Sequence, residues 1–370
     1  MISDDLPLSR AAVDRTAVAR GDDDLIARAR ADRSTRVLLV RDGSVVTRVP
    51  ADGTDAAAGE GWGRRAGVEV AVAYLDPETA EAVARAAGTD DEPGDDGWLF
   101  LGRGTDGGDL LARRVRPEHS APRSGASADV LVHRPAAGSG PAAEAAAAAG
   151  TESESPGSVR APLPGLRWTS LRVVGAELTD VDAGLATTAV ALDAWHARHP
   201  RCPRCGAPTV TTAAGWTRRC TVDGSEHYPR TDPAVIMAVV DGHDRLLLGH
   251  AAAWAPHRFS TLAGFVEAGE SVEHAVRREV AEETTVLVGD VEYVGSQPWP
   301  FPASLMLGFR ARALSTDVVV DGVELTDARW FSREELADAV RTGDVVLPSP
   351  ASIAHALVQD WYGGPVPTAD

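Results

Sequence analysis

Gly264-Phe265-Val266-Glu267-Ala268-Gly269-Glu270 is followed, eight residues after Glu270, by Arg278-Glu279-Val280-Ala281-Glu282-Glu283. A loop of small residues runs into a segment with glutamates at helical spacing. Glu279 lies three residues from Glu282 and four from Glu283, so the pairs are neighbours on a helix surface. Like charges so placed repel by a few tenths of a kcal/mol per pair. A purely structural helix gains nothing from that arrangement. A site for divalent cations does, because hard cations take carboxylate oxygens and bridge them to substrate phosphates.

These residues resemble the Nudix box, the signature of hydrolases that cleave nucleoside diphosphates linked to another group. The family pattern is Gly, five residues, Glu, seven residues, Arg-Glu, an apolar residue, any residue, Glu-Glu, any residue, Gly and an apolar residue. Gly264, Glu270, Arg278, Glu279, Val280, Glu282, Glu283 and Val286 stand in register with it. Thr285 stands where the family has glycine. That glycine would end the helix in a left-handed conformation, which threonine adopts poorly.

The whole chain has 370 residues and a formal charge of −18, enough length for two or three domains. A strongly acidic surface repels nucleic acid and anionic membranes at long range. Bound metal reverses that sign locally, so an anionic substrate is compatible. The N-terminus lacks the basic and apolar segments of a signal peptide, and no run reaches the roughly 20 apolar residues of a membrane span. Three cysteines within nineteen residues do not read as a disulfide scaffold. A cytoplasmic location is expected, with no membrane partner.

Five segments follow from the composition. Residues 1–133 read as an N-terminal α/β domain, with strands at 37–40, 68–74 and 98–102 and a helix at 76–87. Residues 134–164 are low in complexity, dominated by alanine, glycine, serine and proline, and read as a flexible insertion. Residues 165–200 read as a connecting segment and a helix, with Leu185, Ala189, Leu192 and Trp195 or His196 on one apolar stripe. Trp195 and His196 are expected in the core. Residues 201–228 form a zinc-ribbon-like segment, and 229–370 a compact α/β domain. In the last, strands are expected at 234–240, 245–249, 292–296, 305–314 and 328–331, with closing helices at 333–340 and 352–362.

In the ribbon segment Cys202 and Cys205 stand three apart, and Cys220 follows after fifteen residues. Cysteines with two residues between them and a later return are the layout of a zinc ribbon. The usual fourth cysteine is replaced by Asp223; His227 and a water are alternatives for the fourth ligand. A ribbon without metal, packed around Trp216, is the competing structural reading.

A second run, Ser296-Gln297-Pro298-Trp299-Pro300-Phe301-Pro302-Ala303-Ser304, narrows the substrate. Its rings suit stacking on a base, and its prolines lower the entropy lost in presenting them. Together with the cysteine pair, Trp216 and His227-Tyr228-Pro229-Arg230, it resembles the NADH pyrophosphatase branch of the Nudix family over residues 166–362. The resemblance implies a Nudix fold, a mixed β-sheet sandwiched between helices, preceded by a zinc ribbon and an N-terminal α/β domain. It implies that Glu279, Glu283 and Glu324 hold catalytic Mg²⁺ or Mn²⁺ with help from the Ala263 carbonyl, and that Cys202, Cys205 and Cys220 hold Zn²⁺. Tyr228 and Phe265 would flank a ring of the dinucleotide. Gln297, Pro298, Trp299, Pro300, Phe301, Pro302, Ala303 and Ser304 would line the pocket partly across a homodimer interface, and Ala354 would close it.

The implied reaction is hydrolysis of the pyrophosphate of NADH or NAD to AMP and NMN(H), with removal of NAD caps from RNA 5′ ends by the same cleavage. Either Glu282 or Glu283 would orient or deprotonate the attacking water. Arg278 is expected to pair with a carboxylate in preference to substrate. Three other readings compete. One is a Nudix pyrophosphohydrolase of another nucleotide such as ADP-ribose, and the proline-aromatic run counts against it. Another is a catalytically silent nucleotide-binding regulator, motivated by Thr285 and opposed by the intact glutamates. The third is a zinc-ribbon nucleic-acid binder, opposed by the acidic charge and the missing cysteine.

Overall fold

The computed structural model describes residues 6–10, 13–48, 70–89, 94–116 and 163–367. The low-complexity segment, apart from residues 163 and 164, lies outside them, as do residues 68 and 69 of the strand expected at 68–74.

In chain order the first part contains α1 (Leu25–Ala31), β1 (Arg36–Arg41), β2 (Ser44–Arg48), α2 (Pro77–Ala86), β3 (Trp98–Arg103), β4 (Asp109–Arg114) and β5 (Leu166–Ser170). The five strands form one sheet in the order β3-β4-β1-β2-β5, and only the β1–β4 pair is parallel. β5 lies in the stretch read from sequence as a connecting segment, yet it pairs with β2 along its full length. The expected strand at 68–74 is absent from the described residues. Its described part fills a gap instead. β1 and β2 pair at only two positions and then splay. Ala73 N donates to Val46 O on one side, and Leu75 and Val37 exchange two bonds on the other. The backbone is satisfied without a continuous ladder.

α3 (Leu171–Val174) is a single turn, and α4 (Asp180–Arg198) is the longest helix among the described residues. Thr179 caps α4 by accepting from the Asp182 amide. The ribbon follows as β6 (Thr209–Thr212), β7 (Thr217–Cys220) and β8 (Glu226–His227), paired in that order.

The remaining elements are β9 (Asp232–Val240), β10 (Leu246–Ala251), β11 (Leu262–Phe265), α5 (Val272–Thr284), β12 (Val288–Trp299), β13 (Ser304–Ala313), β14 (Leu325–Phe331), α6 (Arg333–Thr342) and α7 (Ile353–Tyr362). The sheet runs β12-β13-β9-β10-β14, with β11 on β9, and β9–β13 is its parallel pair. β9 is apolar from Ala234 to Val240 because both of its faces are covered. Val235, Met237 and Val239 pack with Ala275, Val276 and Val280 of α5. Ala234, Ile236, Ala238 and Val240 pack on the other side with Leu336, Leu357 and Val358 of the closing helices. That second layer is continuous with Leu38, Val45, Leu185 and Leu192, so one core joins the sheet of β9 to the N-terminal sheet and α4. No helix of the described residues is long and apolar enough to cross a membrane.

α5 starts at Ser271, whose hydroxyl accepts from the His274 amide, and ends at Thr285 in the left-handed region with φ 62° and ψ 0°. Thr285 therefore keeps the backbone that glycine would take. For a side-chain-bearing residue this costs roughly 1–2 kcal/mol. Glycine would lose about 0.5–1 kcal/mol through the unfolded chain. Thr285→Gly should therefore stabilise by at most about 1.5 kcal/mol, with roughly 2–4 °C in Tm for each kcal/mol gained. Scanning calorimetry that shows a fall in Tm would contradict the strain.

Candidate metal centre

α5 turns Glu279 and Glu283 toward the sheet, where both are buried at 0 % and 2 % exposure. Glu324, on the turn before β14, is buried beside them at 8 %. The turn is held by Asp321, whose carboxylate accepts the amides of Val323, Glu324 and Leu325 at 2.9–3.2 Å. The Glu324 carbonyl accepts from the Ala252 amide. Gly264 on β11 faces the Glu279 carboxylate so closely that a Cβ there would collide with its carbon and both oxygens. This is the reason glycine opens the box.

Arg278 ties loop to helix. Its Nε and Nη2 donate to the two oxygens of Glu270, both at 2.9 Å, and Nη2 also donates to the Phe265 carbonyl at 2.9 Å. Nη1 donates to Glu279 Oε1 at 2.8 Å and to Glu282 Oε2 at 3.0 Å. The expected carboxylate pairing of Arg278 is thus what the structure contains. Glu282 stays solvent-facing, with 62 % of its side chain exposed.

One arginine does not satisfy the cluster. Among the described residues, Glu279 Oε2 and both oxygens of Glu283 are buried with no hydrogen-bond partner. Burial pushes the Glu279 carboxyl up to about 7, against the pull of Arg278. Burial, then the charges of Glu279, Glu324 and Asp321, push Glu283 well above the carboxylate range. Buried carboxylates with free lone pairs on one side of a sheet fit a hard divalent cation, which takes oxygen donors. The donor set therefore fits the metal that the glutamate spacing implied.

The ribbon brings together a second donor set. One ligand atom each from Cys202, Cys205, Cys220 and Asp223 lies within 4.8 Å of the others. Cys205 Sγ and Cys220 Sγ are 3.5 Å apart, and the amides of Val222 and Asp223 donate to Cys220 Sγ at 3.4 Å. Burial opposes ionisation of Cys202, but the Ser225 hydroxyl and the amides of Arg204 and Cys205 outweigh it and hold the thiol below its usual value. Asp223, and not His227, completes the cluster. His227 Nε2 contacts the Ser225 hydroxyl instead.

Residues 230–348 match the NUDIX domain family. The chain carries a Nudix domain. Residues 197–228 match the NADH pyrophosphatase zinc ribbon domain. The chain is 44 % identical over 201 residues to the NAD-capped RNA hydrolase of Mycobacterium tuberculosis, covering 52 % of this chain and 64 % of that protein. It is 43 % identical over 198 residues to the NAD-capped RNA hydrolase of Homo sapiens, covering 50 % of this chain and 43 % of that protein. The match thus spans 43 % to 64 % of the relatives' length. Among solved structures, a Nudix hydrolase from Nitrosomonas europaea aligns at a TM-score of 0.36 and 21 % identity, covering 46 % of this chain and 96 % of that one.

The other expected site residues are more scattered. Ala263 is buried on β11 in register with Ile236. Phe265 is half-buried against the joint core, whereas Tyr228 is 64 % exposed on the ribbon with its hydroxyl donating to Glu226. Gln297, expected at the pocket, is fully buried. Its amide accepts from Leu8 N and donates to Ala351 O, so both ends serve the fold. Trp299, Pro300 and Ser304 are buried, and Ala354 is buried in α7; Pro298, Phe301, Pro302 and Ala303 are half-buried. Arg172 lies over the Trp299 and Phe301 rings at 5.4 and 4.2 Å. In the single chain this run is chiefly a seam between the β9 sheet and the N-terminal part. Asp321 and Gly43, which faces Phe301, are participants that the sequence did not single out.

Two results should follow. Gly264→Ala should abolish the thermal stabilisation by divalent cations, because the methyl displaces Glu279; a retained shift in differential scanning fluorimetry would sink the close-approach argument. Glu279 and Glu283 are raised above the unfolded glutamate value of about 4.3. Their contribution to stability without metal is complete below that value and is lost as pH rises, through about 7 for Glu279 and higher still for Glu283. The divalent-ion increment in Tm should therefore grow from pH 5 to pH 8. An increment flat across that window would contradict the raised carboxyls.

Proposed function

We propose that this protein hydrolyses the pyrophosphate bond of NADH or NAD to AMP and NMN(H), and removes NAD caps from RNA by the same cleavage. The observation that carries this reading is the pair of buried glutamates with unpartnered oxygens, Glu279 and Glu283, beside Glu324. The names of the relatives in which the ribbon and the Nudix domain recur support the substrate.

In this reading Glu279, Glu283 and Glu324, with the Ala263 carbonyl, hold Mg²⁺ or Mn²⁺. When bound, such ions neutralise the pyrophosphate charge and lower the pKa of a water. Arg278 fixes the rotamers of Glu270, Glu279 and Glu282 and does not contact substrate. Glu282 is the exposed carboxylate of the group and accepts the proton of the attacking water, while Glu283 stays a ligand. Water attacks one phosphorus, the bridging P–O bond breaks, and the two monophosphates leave. Tyr228 and Phe265 flank a ring of the dinucleotide. Because they face different surroundings within one chain, a homodimer that brings the partner's Tyr228 to Phe265 accounts for both. The half-buried residues of the 296–304 run finish the pocket, and Cys202, Cys205, Cys220 and Asp223 hold Zn²⁺.

Glu283→Gln should fold normally and lose turnover by at least ~100-fold, the scale of removing one electrostatic contributor at a transition state. Product chromatography on NADH, NAD, NAD-capped RNA and ADP-ribose reads both points. Near-wild-type turnover by Glu283→Gln, or a higher kcat/KM for ADP-ribose than for the nicotinamide dinucleotides, would overturn the reading.

A further inference from the structure

Glu279 and Glu283 are carried by α5, but the third buried acid of the cluster, Glu324, is not. It ends the connection between β13 and β14, residues 314–324, which form neither helix nor strand. Long irregular connections are where a chain keeps alternative positions. Three neighbouring carboxylates repel one another, so the one borne by a loop is the first to swing out to water. Yet Glu324 is buried at 8 % exposure.

The connection is anchored on both sides of that residue. Before it, Val319 N donates to the Thr284 carbonyl at the end of α5 at 3.0 Å, and Val318 and Val320 pack on the core below. After it, Leu325 pairs with Ala251 and Asp327 with His250, so β14 has one residue more than β10 across this step. A bulge of this kind bends the strand and re-aims the side chains next to it. Between the anchors stands Asp321. Its Oδ1 accepts the amides of Val323, Glu324 and Leu325 at 3.2, 3.1 and 2.9 Å, and its Oδ2 accepts the Glu324 amide at 3.0 Å. Gly322 N closes the same turn on the Leu325 carbonyl at 3.1 Å. Asp321 is itself exposed, with its carboxylate occupied by amides. Its negative charge still reaches the cluster, where it is one of those acting on Glu283.

We propose that Asp321 is a positioning residue for the metal centre: by holding three successive amides it fixes the backbone of Glu324, and so sets how tightly the three glutamates bind a divalent cation. It acts through Glu324 and touches neither cation nor substrate. The inference rests on the metal reading proposed above. Groups that orient metal ligands are worth roughly 10–100-fold in metal affinity when removed. The length of the side chain matters. Aspartate and asparagine reach their own backbone two residues on, a geometry that the longer glutamate does not reproduce. Amide anchoring and charge are therefore separable by substitution.

The test uses the full chain, purified with zinc, and Mn²⁺ alone as the probe. Free Mn²⁺ is read by electron paramagnetic resonance in the absence of substrate. Asp321→Ala should raise the Kd by at least ~10-fold. Asp321→Glu keeps the charge but displaces the acceptor, and should lose as much. Asp321→Asn loses the charge but keeps an acceptor at the same reach, and should stay within about threefold of wild type. In a Glu324→Gln background, Asp321→Ala should add little further loss, because residues that act as one unit are not additive. With NADH as substrate, Asp321→Ala and Asp321→Glu should raise the Mn²⁺ concentration for half-maximal rate more than they lower kcat at saturating Mn²⁺. Tm without metal is measured on every variant, and if Asp321→Ala does not fold, the Asn and Glu variants decide. Affinity kept by Asp321→Glu and lost by Asp321→Asn would overturn the proposal and make Asp321 a charge acting on the cation. Unchanged affinity in the Ala and Glu variants, with wild type binding Mn²⁺, would overturn it and leave the metal reading standing. A full additional loss in the Glu324→Gln background would also overturn it, because Asp321 would then act elsewhere. Wild type that binds no Mn²⁺ removes the metal reading and the role of Asp321 together.

Discussion

The site depends on the unfavourable burial of several carboxylates in one place. Arg278 offsets part of it by holding Glu270, Glu279, Glu282 and the Phe265 carbonyl at once, so that loop and helix move as a unit. A single guanidinium cannot neutralise three buried acids. Glu279 and Glu283 keep oxygens with no partner, and both are pushed toward protonation. An isolated buried charge is among the costlier features a fold can carry, and it persists where a second cation completes it. Read this way, the glutamates are an incomplete ion pair, and the collision that any Cβ at Gly264 would cause shows how closely the backbone is fitted around it.

A different set of charges holds the ribbon in place. Asp95 is buried and bonded to Arg114, Arg116 and Arg218, and Arg114 also bonds to Asp193 of α4. The arginines hold Asp95 far below the carboxylate range despite its burial. His196 sits between the Gly215 carbonyl and Arg218, and burial together with Arg114 lowers it to about 3, so it stays neutral at physiological pH. Here the charges are mutually satisfied, in contrast with the glutamates. The knot joins the N-terminal sheet, α4 and the ribbon. Trp216 adds to it, donating to the Phe100 carbonyl at 2.7 Å with Arg20 stacked 3.6 Å above its ring. The ribbon is therefore fastened to the N-terminal part by packing around Trp216 as well as by any metal at its cysteines.

Much of this was legible because local rules and the global fold agree. The α5 glutamates, β9 and its return strand, and the closing helices capped at Ser332 and Ser352 all follow from spacing and caps. Trp195 and His196 were expected in the core and are buried there. What stayed hidden depends on pairing between distant segments. β5 carries no alternation that marks it as an edge of the N-terminal sheet; its partner is more than a hundred residues earlier. Residues 68–74 read as a strand because they are rich in β-branched residues, yet the described part, from residue 70, fills a gap between splayed neighbours. Gln297 reads as a polar group in an aromatic loop, and only the folded chain shows its amide held by Leu8 and Ala351.

Thr285 decides between a degraded site and a tolerated variation. A helix that had lost its exit would unwind its last turn, which contains Glu282 and Glu283. Instead Thr285 takes the left-handed exit and its amide still bonds to the Ala281 carbonyl. Thr284 adds a bond from its hydroxyl to the Val280 carbonyl, and Val319 donates to the Thr284 carbonyl. The strain sits on an exposed side chain with no role in the carboxylate cluster, while the buried residues on either side, Thr284 and Val286, are well packed. Strain kept outside the site is compatible with an intact one. The silent-regulator reading, which took the missing glycine as decay of the box, therefore loses its motive: the geometry that glycine serves is preserved, and so is the burial of Glu279 and Glu283.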